Sequence, residues 1–350
     1  RVVTLLLALV ASVSTSGKHY PGSIDDYKDY TTSYAYNQIR IHGVLVNHIP
    51  EYYGYERPCP NADDIDPCVC TYHADEHAMD LDCSAVESEE QLRQIFKADF
   101  PFKNFRHFNL QHNSNLKVLE SYVFNTISFE KITIYYNEFE VIEDHALDSC
   151  YETATYVNLN HNKITSFPFD TLSNFVNLKV FGITSNSLST ISADAFHGIT
   201  TLEHIMIQYN TPNIVGTFQN LTSLKTLTMG GNDLTIIPTN FIKTGSTRLN
   251  HITMISNAII SVEPGAFDIV EGMRINMTSN SLSTLDEATW DPVLIGGVVL
   301  DATNNPLSCG CDIAWLFKED QLLEQVSKDT TCSDGEYIHN LDTSNLHICK

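Results

Sequence analysis

The chain has 350 residues, with 43 acidic and 20 basic side chains and a formal net charge of −23 at pH 7. A surface this acidic repels phosphate backbones and anionic lipids, which disfavours nucleic acids and acidic membranes as partners. The charge suits a protein that stays in solution through self-repulsion, or one that meets basic proteins or cations.

The first segment, residues 1–17, has the pattern of a secretory signal peptide that lacks its initiator methionine. An apolar run over residues 4–13 follows Arg1, and small residues occupy 14–17. The run is too short to cross a bilayer, and no other stretch is long and apolar enough to do so. The sequence therefore predicts a secreted, extracellular protein without a membrane span. A receptor ectodomain is the alternative if further sequence follows Lys350.

Residues 18–58 form an acidic tail that is rich in tyrosine and has no hydrophobic periodicity. Such a composition favours a disordered, solvated arm. Tyr27 and Tyr30 lie in the acidic run DDYKDY, so sulfation of these two tyrosines is the functional alternative.

Residues 59–104 are predicted to be a cystine-rich N-terminal cap followed by a covering helix. The sequence SEEQ that begins at Ser88 has the pattern of a helix capping box. The apolar residues after it recur on one helical face, so we expect one short helix that covers the end of the segment that follows. The four cysteines of this cap are Cys59, Cys68, Cys70 and Cys83.

One motif in this cap is similar to a zinc-protease signature. His73 and His77 stand in the order H-x-x-E-H, which on a helix would let two imidazoles share a metal with a glutamate as base. The motif lies between Cys70 and Cys83, where there is little room for a catalytic helix and a substrate cleft. We interpret it as an exposed polar loop. Phosphate-loop, dinucleotide and G-x-S-x-G fingerprints are absent, and we predict no catalytic residue, metal site or cofactor.

Residues 105–307 contain nine asparagines at intervals of 22–25 residues, each at the same place in an L-x-x-L-x-L-x-x-N-x-L pattern. Repeat four shows this pattern with Leu178, Phe181, Ile183 and Asn186. This is the leucine-rich-repeat signature. It predicts an α/β right-handed solenoid of about nine repeats, with a parallel sheet on its concave face. The asparagines are Asn113, Asn137, Asn162, Asn186, Asn210, Asn232, Asn257, Asn280 and Asn305.

Stacking supplies the core of such a solenoid, because no single repeat can bury its apolar face alone. The stacked asparagines are expected to form a hydrogen-bonded ladder, and a second apolar pair in most repeats is expected to fill the convex side. Repeat eight begins at Gly272 in place of an apolar residue, and Pro212 stands at position eleven of repeat five. We expect local irregularities at both places.

The outward-facing strand positions indicate a binding surface in the N-terminal half of the concave sheet. Position eight reads His, Tyr, His, Ser and Tyr over repeats one to five, whereas the C-terminal half is small and neutral. Amphipathic rings concentrate interface energy. Ordinary strand surface is the alternative, because tyrosine is a good β former. The candidate partner-binding residues are Tyr135, Tyr136, Tyr156, His161, His204 and Tyr209.

Two N-glycosylation sequons begin at Asn220 and Asn276. Asn276 occupies position five of repeat eight, on the predicted concave face. A glycan there would obstruct the C-terminal half of that face. If this sequon is used, recognition is therefore expected in the N-terminal half.

Residues 308–350 are predicted to form a C-terminal cystine cap. The run NPLSCGCDIAWL from Asn305 looks like the C-terminal cap of extracellular leucine-rich-repeat proteins. Spacing alone leaves three pairings open within each set of four cysteines. Cys150, the ninth cysteine, is predicted to be a buried unpaired thiol, with an intermolecular disulfide as the alternative. The C-terminal four are Cys309, Cys311, Cys332 and Cys349.

The N-terminal cap carries a more specific resemblance. The sequences CPNADDIDPCVC at 59–70, LDCSAV at 81–86 and FP at 100–101 are similar to those of secreted arthropod leucine-rich-repeat proteins. That family includes the non-catalytic subunit of a decapod-shrimp luciferase, a luciferin 2-monooxygenase. The resemblance covers residues 59–349 and implies first-to-third and second-to-fourth pairing. The implied disulfides are Cys59–Cys70, Cys68–Cys83, Cys309–Cys332 and Cys311–Cys349.

The resemblance implies a binding or stabilising role and no catalytic residue, since the light-producing activity belongs to a separate small subunit. The leading interpretation is a secreted recognition or scaffold protein that binds an extracellular protein through its concave face. The alternative is a non-catalytic subunit of an extracellular oxidase or luciferase complex. Some matrix proteins of this repeat class carry sulfated N-terminal tails, which is the resemblance behind the sulfation alternative at Tyr27 and Tyr30.

Overall fold

The computed structural model describes one hairpin near the N-terminus and most of the chain beyond it. The predicted signal peptide and the candidate sulfation sites Tyr27 and Tyr30 lie outside the described residues. Within the described residues, no helix combines the length and the apolar character needed to cross a membrane. The described residues are 37–41, 44–48 and 59–350, the last without 193, 211–212, 215–217, 343 and 345–350.

The chain divides into two compact units, Arg1–Pro58 and Cys59–Lys350. In the first unit, β1 (Asn37–Ile41) pairs antiparallel with β2 (Val44–His48). The second unit contains the cysteine-rich segments and all the repeats, and its structure is described below.

The N-terminal cap is a disulfide-linked hairpin that continues into the main sheet. A short helix, α1 (Ala62–Ile65), precedes β3 (Val69–His73) and β4 (Ala78–Asp82), which pair antiparallel. Disulfides Cys59–Cys70 and Cys68–Cys83 fix the hairpin. These are the two pairings that the family resemblance implies for this cap.

The covering helix is α2 (Glu89–Ile95), and it begins where the capping-box pattern predicts. Ser88 Oγ accepts a hydrogen bond from the Gln91 N–H at 3.2 Å. The return bond differs from a standard capping box, because Gln91 Oε1 accepts from the N–H of Glu87 at 2.8 Å. Directly after the helix, Phe96 packs edge-on against Phe124 with ring centroids 5.0 Å apart, so the helix covers the first repeats.

Nine parallel strands, one for each repeat, form the main sheet, as the asparagine spacing predicts. β4 adds to it in parallel and β3 forms its N-terminal edge. Neighbouring strands pair with equivalent repeat positions opposite each other. The nine strands are β5 (Asn104–Gln111), β6 (Ser128–Tyr135), β7 (Tyr156–Asn158), β8 (Val180–Gly182), β9 (His204–Met206), β10 (Thr226–Thr228), β11 (His251–Thr253), β12 (Arg274–Asn276) and β13 (Val299–Asp301).

The core lies directly beneath this sheet. Positions four and six of all nine repeats are fully buried, for example Phe181 and Ile183 in repeat four. From repeat two onward, the asparagine at position nine of each repeat donates its side-chain N–H to the position-six carbonyl of the preceding repeat, over 2.9–3.2 Å. This is the expected ladder. It satisfies backbone groups that no strand neighbour reaches at the point where the chain turns inward.

The convex side consists of short strands, 3-10 turns and α3 (Glu287–Ile295). The second apolar pair present in most repeats fills it as predicted, with Leu285 and Trp290 buried. Two 3-10 turns lie at Asp148–Cys150 and Phe169–Asn174. The paired two-residue strands are Val118–Leu119 with Val141–Ile142, Thr190–Ile191 with Asn213–Ile214, Phe218–Gln219 with Ile242–Lys243, and Ile236–Ile237 with Ser261–Val262.

The irregularity expected at Gly272 is a one-residue shift of the buried side chain. Gly272 has a φ of +77°, and Met273 after it is fully buried. Repeat nine repeats the arrangement with Gly297, at a φ of +79°, and the buried Val298. A left-handed glycine therefore redirects the chain, so that the next residue fills the place that position one fills elsewhere. Pro212 lies outside the described residues.

The C-terminal cap closes the other end of the stack. It contains a 3-10 helix, Cys311–Phe317, and α4 (Asp320–Glu324). Trp315 is buried, and its indole N–H donates to the carbonyl of Leu285 at 2.9 Å. A second 3-10 turn follows at Ile338–Asn340.

Disulfide bonding in this cap agrees with the resemblance where the structure describes it. Cys309 and Cys332 are bonded, and Cys311 is also disulfide-bonded. The Cys349 half of the implied fourth pair lies outside the described residues.

Cys150 is a free cysteine in the convex side of repeat two and has no solvent exposure. Burial raises the pKa of its thiol to about 11. A buried, protonated thiol is shielded from other molecules, so an intermolecular disulfide at Cys150 would require this region to open.

Candidate protein-binding face

We call the solvent-facing side of β5–β13 the concave face. Positions three and five point onto it, because they alternate with the buried position four. The hydrogen-bonded register aligns all nine position-three residues in one row across the sheet. That row is His107, Lys131, Tyr156, Val180, His204, Thr226, His251, Arg274 and Val299.

Position eight forms a second row where the chain leaves each strand. All nine of its residues have left-handed backbone angles, with φ between +49° and +67°. From Tyr136 to Ser279, its N–H groups donate to the position-seven carbonyl of the next repeat, as Tyr136 does to Asn160 and His161 does to Thr184. A shared conformation and shared hydrogen bonds therefore hold the position-eight side chains in line. The row is His112, Tyr136, His161, Ser185, Tyr209, Gly231, Ser256, Ser279 and Asn304.

Three consecutive rings of this row stack on one another. The His112 and Tyr136 rings lie 8° from parallel with centroids 5.3 Å apart, and the Tyr136 and His161 rings lie 9° from parallel at 4.3 Å. We call these three residues the ring ladder. Tyr135 flanks it at position seven, with its ring centroid 5.0 Å from that of Tyr136. His112, His161 and Tyr136 are exposed, and Tyr136 keeps 48% of its surface in solvent.

The structure therefore joins Tyr135, Tyr136 and His161 in one exposed aromatic surface and adds His112 to them. Sequence reasoning left His112 out of the candidate set, although the position-eight pattern already contained it. The pattern gave the position of each ring and could not show which rings stack.

The other three candidates stand apart from the ring ladder. Tyr156 and His204 are half-buried in the position-three row, with Val180 between them. The Tyr156 hydroxyl accepts a hydrogen bond from the Asn158 side chain at 3.1 Å. His204 Nδ1 is 2.8 Å from Thr226 Oγ1. These contacts hold both rings against the sheet.

Tyr209 lies in the position-eight row, two repeats after His161, with Ser185 between them. It is 53% exposed. Its ring lies over Gly231, where an added Cβ atom would stand 2.5 Å from Tyr209 Cδ1. Because Gly231 has no side chain, the Tyr209 ring can occupy the space above it.

An open cleft of about 320 Å³ adjoins the ring ladder at the N-terminal edge of the sheet. Gln111, which lines it, immediately precedes His112. Partial burial raises the pKa of Asp80, but the hydrogen bonds and charge of Arg106 outweigh burial and leave that pKa below its ordinary value. Arg106 Nε donates to Asp80 Oδ1 at 2.8 Å, and His73 Nε2 lies 3.0 Å from Oδ2.

Asp82 is the second carboxylate of the cleft. Partial burial again raises its pKa, and hydrogen bonds to Ser84 and Asn109 reverse the effect, so its pKa lies below the ordinary value. The Asn109 amide donates to Asp82 Oδ2 at 2.7 Å. Partial burial lowers the pKa of His107, which leaves that imidazole neutral at pH 7. Asp80 and Asp82 are therefore both ionised at neutral pH.

The H-x-x-E-H motif lies in the hairpin between β3 and β4. His73 ends β3 and pairs with Asp80, whereas His77 Nδ1 is 3.1 Å from the Tyr72 hydroxyl. The helix that would place both imidazoles on one metal is replaced by a turn, in which His77 has a φ of +50°. Among the described residues, no group of three or more His, Cys, Asp or Glu side chains is arranged to hold a metal.

The two sequons lie on different surfaces. Asn220 is exposed in a turn, with a φ of +58°. Asn276 ends β12 on the concave face, where its Oδ1 accepts from the N–H of Thr278 at 2.9 Å. The position expected for Asn276 is correct. Its glycosylation stays a prediction.

Comparison with known proteins places the chain in a family. A leucine-rich-repeat family model matches residues 152–211. The Oplophorus-luciferin 2-monooxygenase non-catalytic subunit of Oplophorus gracilirostris is 31% identical over 320 residues, which cover 83% of this chain and 87% of that subunit. The chain belongs to the family of that subunit. The family resemblance carried by the N-terminal cap is therefore confirmed.

Other leucine-rich-repeat proteins match this chain less completely. Mouse Toll-like receptor 9 is 34% identical over 116 residues, which are 33% of this chain and 11% of the receptor. A chain from the octameric complex of Latrophilin 3, Unc5D and FLRT2 superposes with a TM-score of 0.54 at 22% identity, covering 71% of this chain and 78% of that one. A chain of the TLR13–ssRNA13 complex superposes with a TM-score of 0.54 at 21% identity, covering 64% of this chain and 31% of that one. These likenesses show the fold alone.

Proposed function

We propose that this protein is a non-catalytic, extracellular recognition or scaffold protein that binds a protein partner through the N-terminal half of its concave face. The ring ladder carries the proposal, because three stacked, exposed rings form a rigid amphipathic surface. Tyrosine and histidine rings in such a surface can bury large area on binding while losing little conformational freedom. Tyr156, His204 and Tyr209 extend the proposed site beyond the ladder.

The disulfides support an extracellular location. Three pairs are present among the described residues, and such bonds persist in oxidising compartments and are rare in reducing ones. Repeat solenoids also present wide surfaces to other molecules, which fits a binding role.

A second candidate function is that of a stabilising subunit in an extracellular oxidase or luciferase complex. The observation that favours it is the 31% identity to a non-catalytic luciferase subunit over most of both chains. In that case the partner on the concave face would be the catalytic chain. Both candidates assign no catalytic residue to this protein.

The proposal is tested by affinity capture from native extracellular fluid with immobilised protein. Tyr136→Ala, Tyr209→Ala and Thr253→Ala serve as matched baits, all with outward-facing side chains. Truncating a buried aromatic anchor commonly costs ~2 kcal/mol or more, which is roughly thirty-fold in affinity. We expect both tyrosine variants to lose a partner that the Thr253→Ala bait retains, at unchanged melting temperature. Loss with Thr253→Ala alone would place the site in the other half.

The captured partner also separates the two candidate functions. A dedicated subunit is expected to bring an oxidase whose activity survives longer in its presence.

Binding between pH 5 and pH 8 gives a further test, because imidazole side chains change charge in this range. A flat profile would remove His161 and His204 from direct contact and leave the tyrosines in place.

A further inference from the structure

The position-eight row has one gap inside its aromatic part. Repeats one to three contribute the stacked rings, repeat four contributes only the hydroxymethyl group of Ser185, and repeat five contributes Tyr209. The backbone continues through the gap unchanged. Ser185 has a φ of +55°, and its N–H donates to the Gln208 carbonyl at 2.8 Å. The interruption therefore lies in the side chains alone.

The gap is at least one ring wide. Adjacent strands lie ~4.8 Å apart, so two steps separate His161 from Tyr209 by roughly 9.6 Å along the row. The ladder itself places one ring centroid every 4.3–5.3 Å. One further ring at Ser185 would continue that spacing. Because the Tyr209 ring lies over Gly231, it is displaced away from Ser185 and leaves the interval open.

The two aromatic residues that bound the gap are exposed. Tyr136 covers one face of His161, yet His161 is still an exposed residue. The opposite face of its imidazole, on the Ser185 side, is the one that no ring of the ladder covers. Tyr209, on the far side, is 53% exposed. Flat aromatic faces bind other flat rings in offset-stacked geometry.

We propose that the gap bounded by His161, Ser185 and Tyr209 is a slot for one aromatic side chain of the protein partner, which completes the row of rings. The inference rests on the proposed function and specifies the chemistry that the partner must present. Aliphatic side chains fit the slot less well, because they lack the flat face that a parallel stack requires.

The test uses N-acetyl-L-tryptophan amide as the probe, titrated into protein that carries ¹³C-labelled histidine. An indole that stacks on His161 is expected to move the His161 imidazole resonance upfield in proportion to bound probe. N-acetyl-L-leucine amide is expected to leave that resonance in place. A probe that moves it no more than the leucine amide does would overturn the slot.

The decisive variant is Ser185→Tyr, which fills the slot with a ring of the protein itself. Tyr136 and Tyr209 already occupy this position with φ of +55° and +49°, so the backbone accepts tyrosine there. The matched control is Ser256→Tyr, three repeats further on at a φ of +52°. We expect the probe-induced shift to fall at least five-fold in Ser185→Tyr and to be unchanged in Ser256→Tyr. Equal shifts in the two variants would overturn the slot.

A second variant covers the case in which Ser185→Tyr fails to fold. Tyr209→Ala removes the far wall and is expected to reduce the probe-induced shift at least two-fold, and no reduction would overturn the slot.

The affinity-capture experiment separates this inference from the proposed function. A partner lost with Tyr136→Ala and retained with folded Ser185→Tyr overturns the slot alone. A partner retained with both Tyr136→Ala and Tyr209→Ala overturns the proposed binding site.

Discussion

The ring of Tyr209 lies directly over Gly231, its neighbour in the position-eight row. A Cβ atom at Gly231 would stand 2.5 Å from Tyr209 Cδ1 and 2.8 Å from Cε1, closer than real atoms approach. Gly231 also has a left-handed φ of +67°. The glycine therefore sets the orientation of an aromatic residue that lies one repeat earlier in the chain.

In Gly231→Ala, the added Cβ atom is expected to displace the Tyr209 ring. Alanine is also strained in the left-handed region, so the free energy of unfolding is expected to fall by about 1–2 kcal/mol. Ser256→Ala is the control, since it changes a position-eight residue that already has a Cβ atom. That variant is expected to stay within about 0.5 kcal/mol of the parent. Urea unfolding measures both, and equal stabilities of the two variants would contradict the role assigned to Gly231.

The fold was predictable because equivalent residues recur at a nearly constant interval in the sequence. Equivalent residues must lie side by side when repeats stack, so nine asparagines predicted nine parallel strands. The pattern could not show which residue fills the core in a repeat whose position one is glycine. At Gly272 the left-handed backbone moves burial to Met273, and the backbone angle that causes this shift is not part of the residue pattern.

The candidate site was predictable only in part. Repeat positions showed that Tyr136 and His161 share a row, and the structure adds that their rings stack. Side-chain torsions decide this, and a sequence pattern does not contain them. The same limit explains why His204, in another row, pairs with Thr226 instead of joining the rings.

The asparagine ladder is expected to contribute strongly to stability, and Asn232 is the sharpest place to test it. Its side-chain N–H donates to the Ile207 and Met229 carbonyls at 2.9 Å each, and its oxygen accepts from the Asn210 N–H at 2.9 Å. Asn232→Ala leaves the Asn210 N–H without an acceptor in a site that is 1% exposed. The two carbonyls each keep one amide donor, Asn210 Nδ2 at 3.5 Å for Ile207 and Asn257 Nδ2 at 3.2 Å for Met229. An unpaired buried N–H costs ~1–3 kcal/mol, so a loss of about 1–3 kcal/mol is expected.

Asn250→Ala provides the control for that experiment, because Asn250 is exposed outside the ladder. Its unfolding free energy is expected to change by less than about 0.5 kcal/mol. Chemical denaturation that shows the same loss for both variants would remove the ladder from the account of stability.

The C-terminal disulfide is expected to hold the end of the stack closed. Cys309 and Cys332 are 23 residues apart in sequence, and a loop of this size predicts a stabilisation of about 3 kcal/mol. The double variant Cys309→Ala/Cys332→Ala should therefore melt several degrees lower. Ser333→Ala, exposed beside the bond, should melt like the parent. A double variant with an unchanged melt would show that this bond is dispensable.

The Cys150 thiol is expected to be inert in the folded protein. Burial raises its pKa to about 11, so the reactive thiolate is scarce at neutral pH, and the side chain has no solvent exposure. Alkylation with iodoacetamide followed by peptide mapping should label Cys150 only after denaturation. Labelling at a similar rate in native protein would revive the intermolecular-disulfide alternative.

The Arg106–Asp80 pair is expected to give the N-terminal cap a pH dependence in the acid range. Arg106 overcomes the effect of partial burial and holds the pKa of Asp80 below its ordinary value. A carboxyl whose folded pKa is depressed stabilises the fold above its unfolded pKa of about 3.9 and loses this contribution as pH falls through the folded value.

Arg106→Gln removes the cation and leaves the partial burial, so the pKa of Asp80 should rise to its ordinary value or above. The variant should be less stable than the parent at pH ~6, and the difference should shrink to roughly half or less as pH falls to ~2. Thermal melts across this range measure it, with the exposed Arg248→Gln as the matched loss of one positive charge. A difference that stays constant with pH would mean that Arg106 stabilises the cap through packing and not through the charge of Asp80.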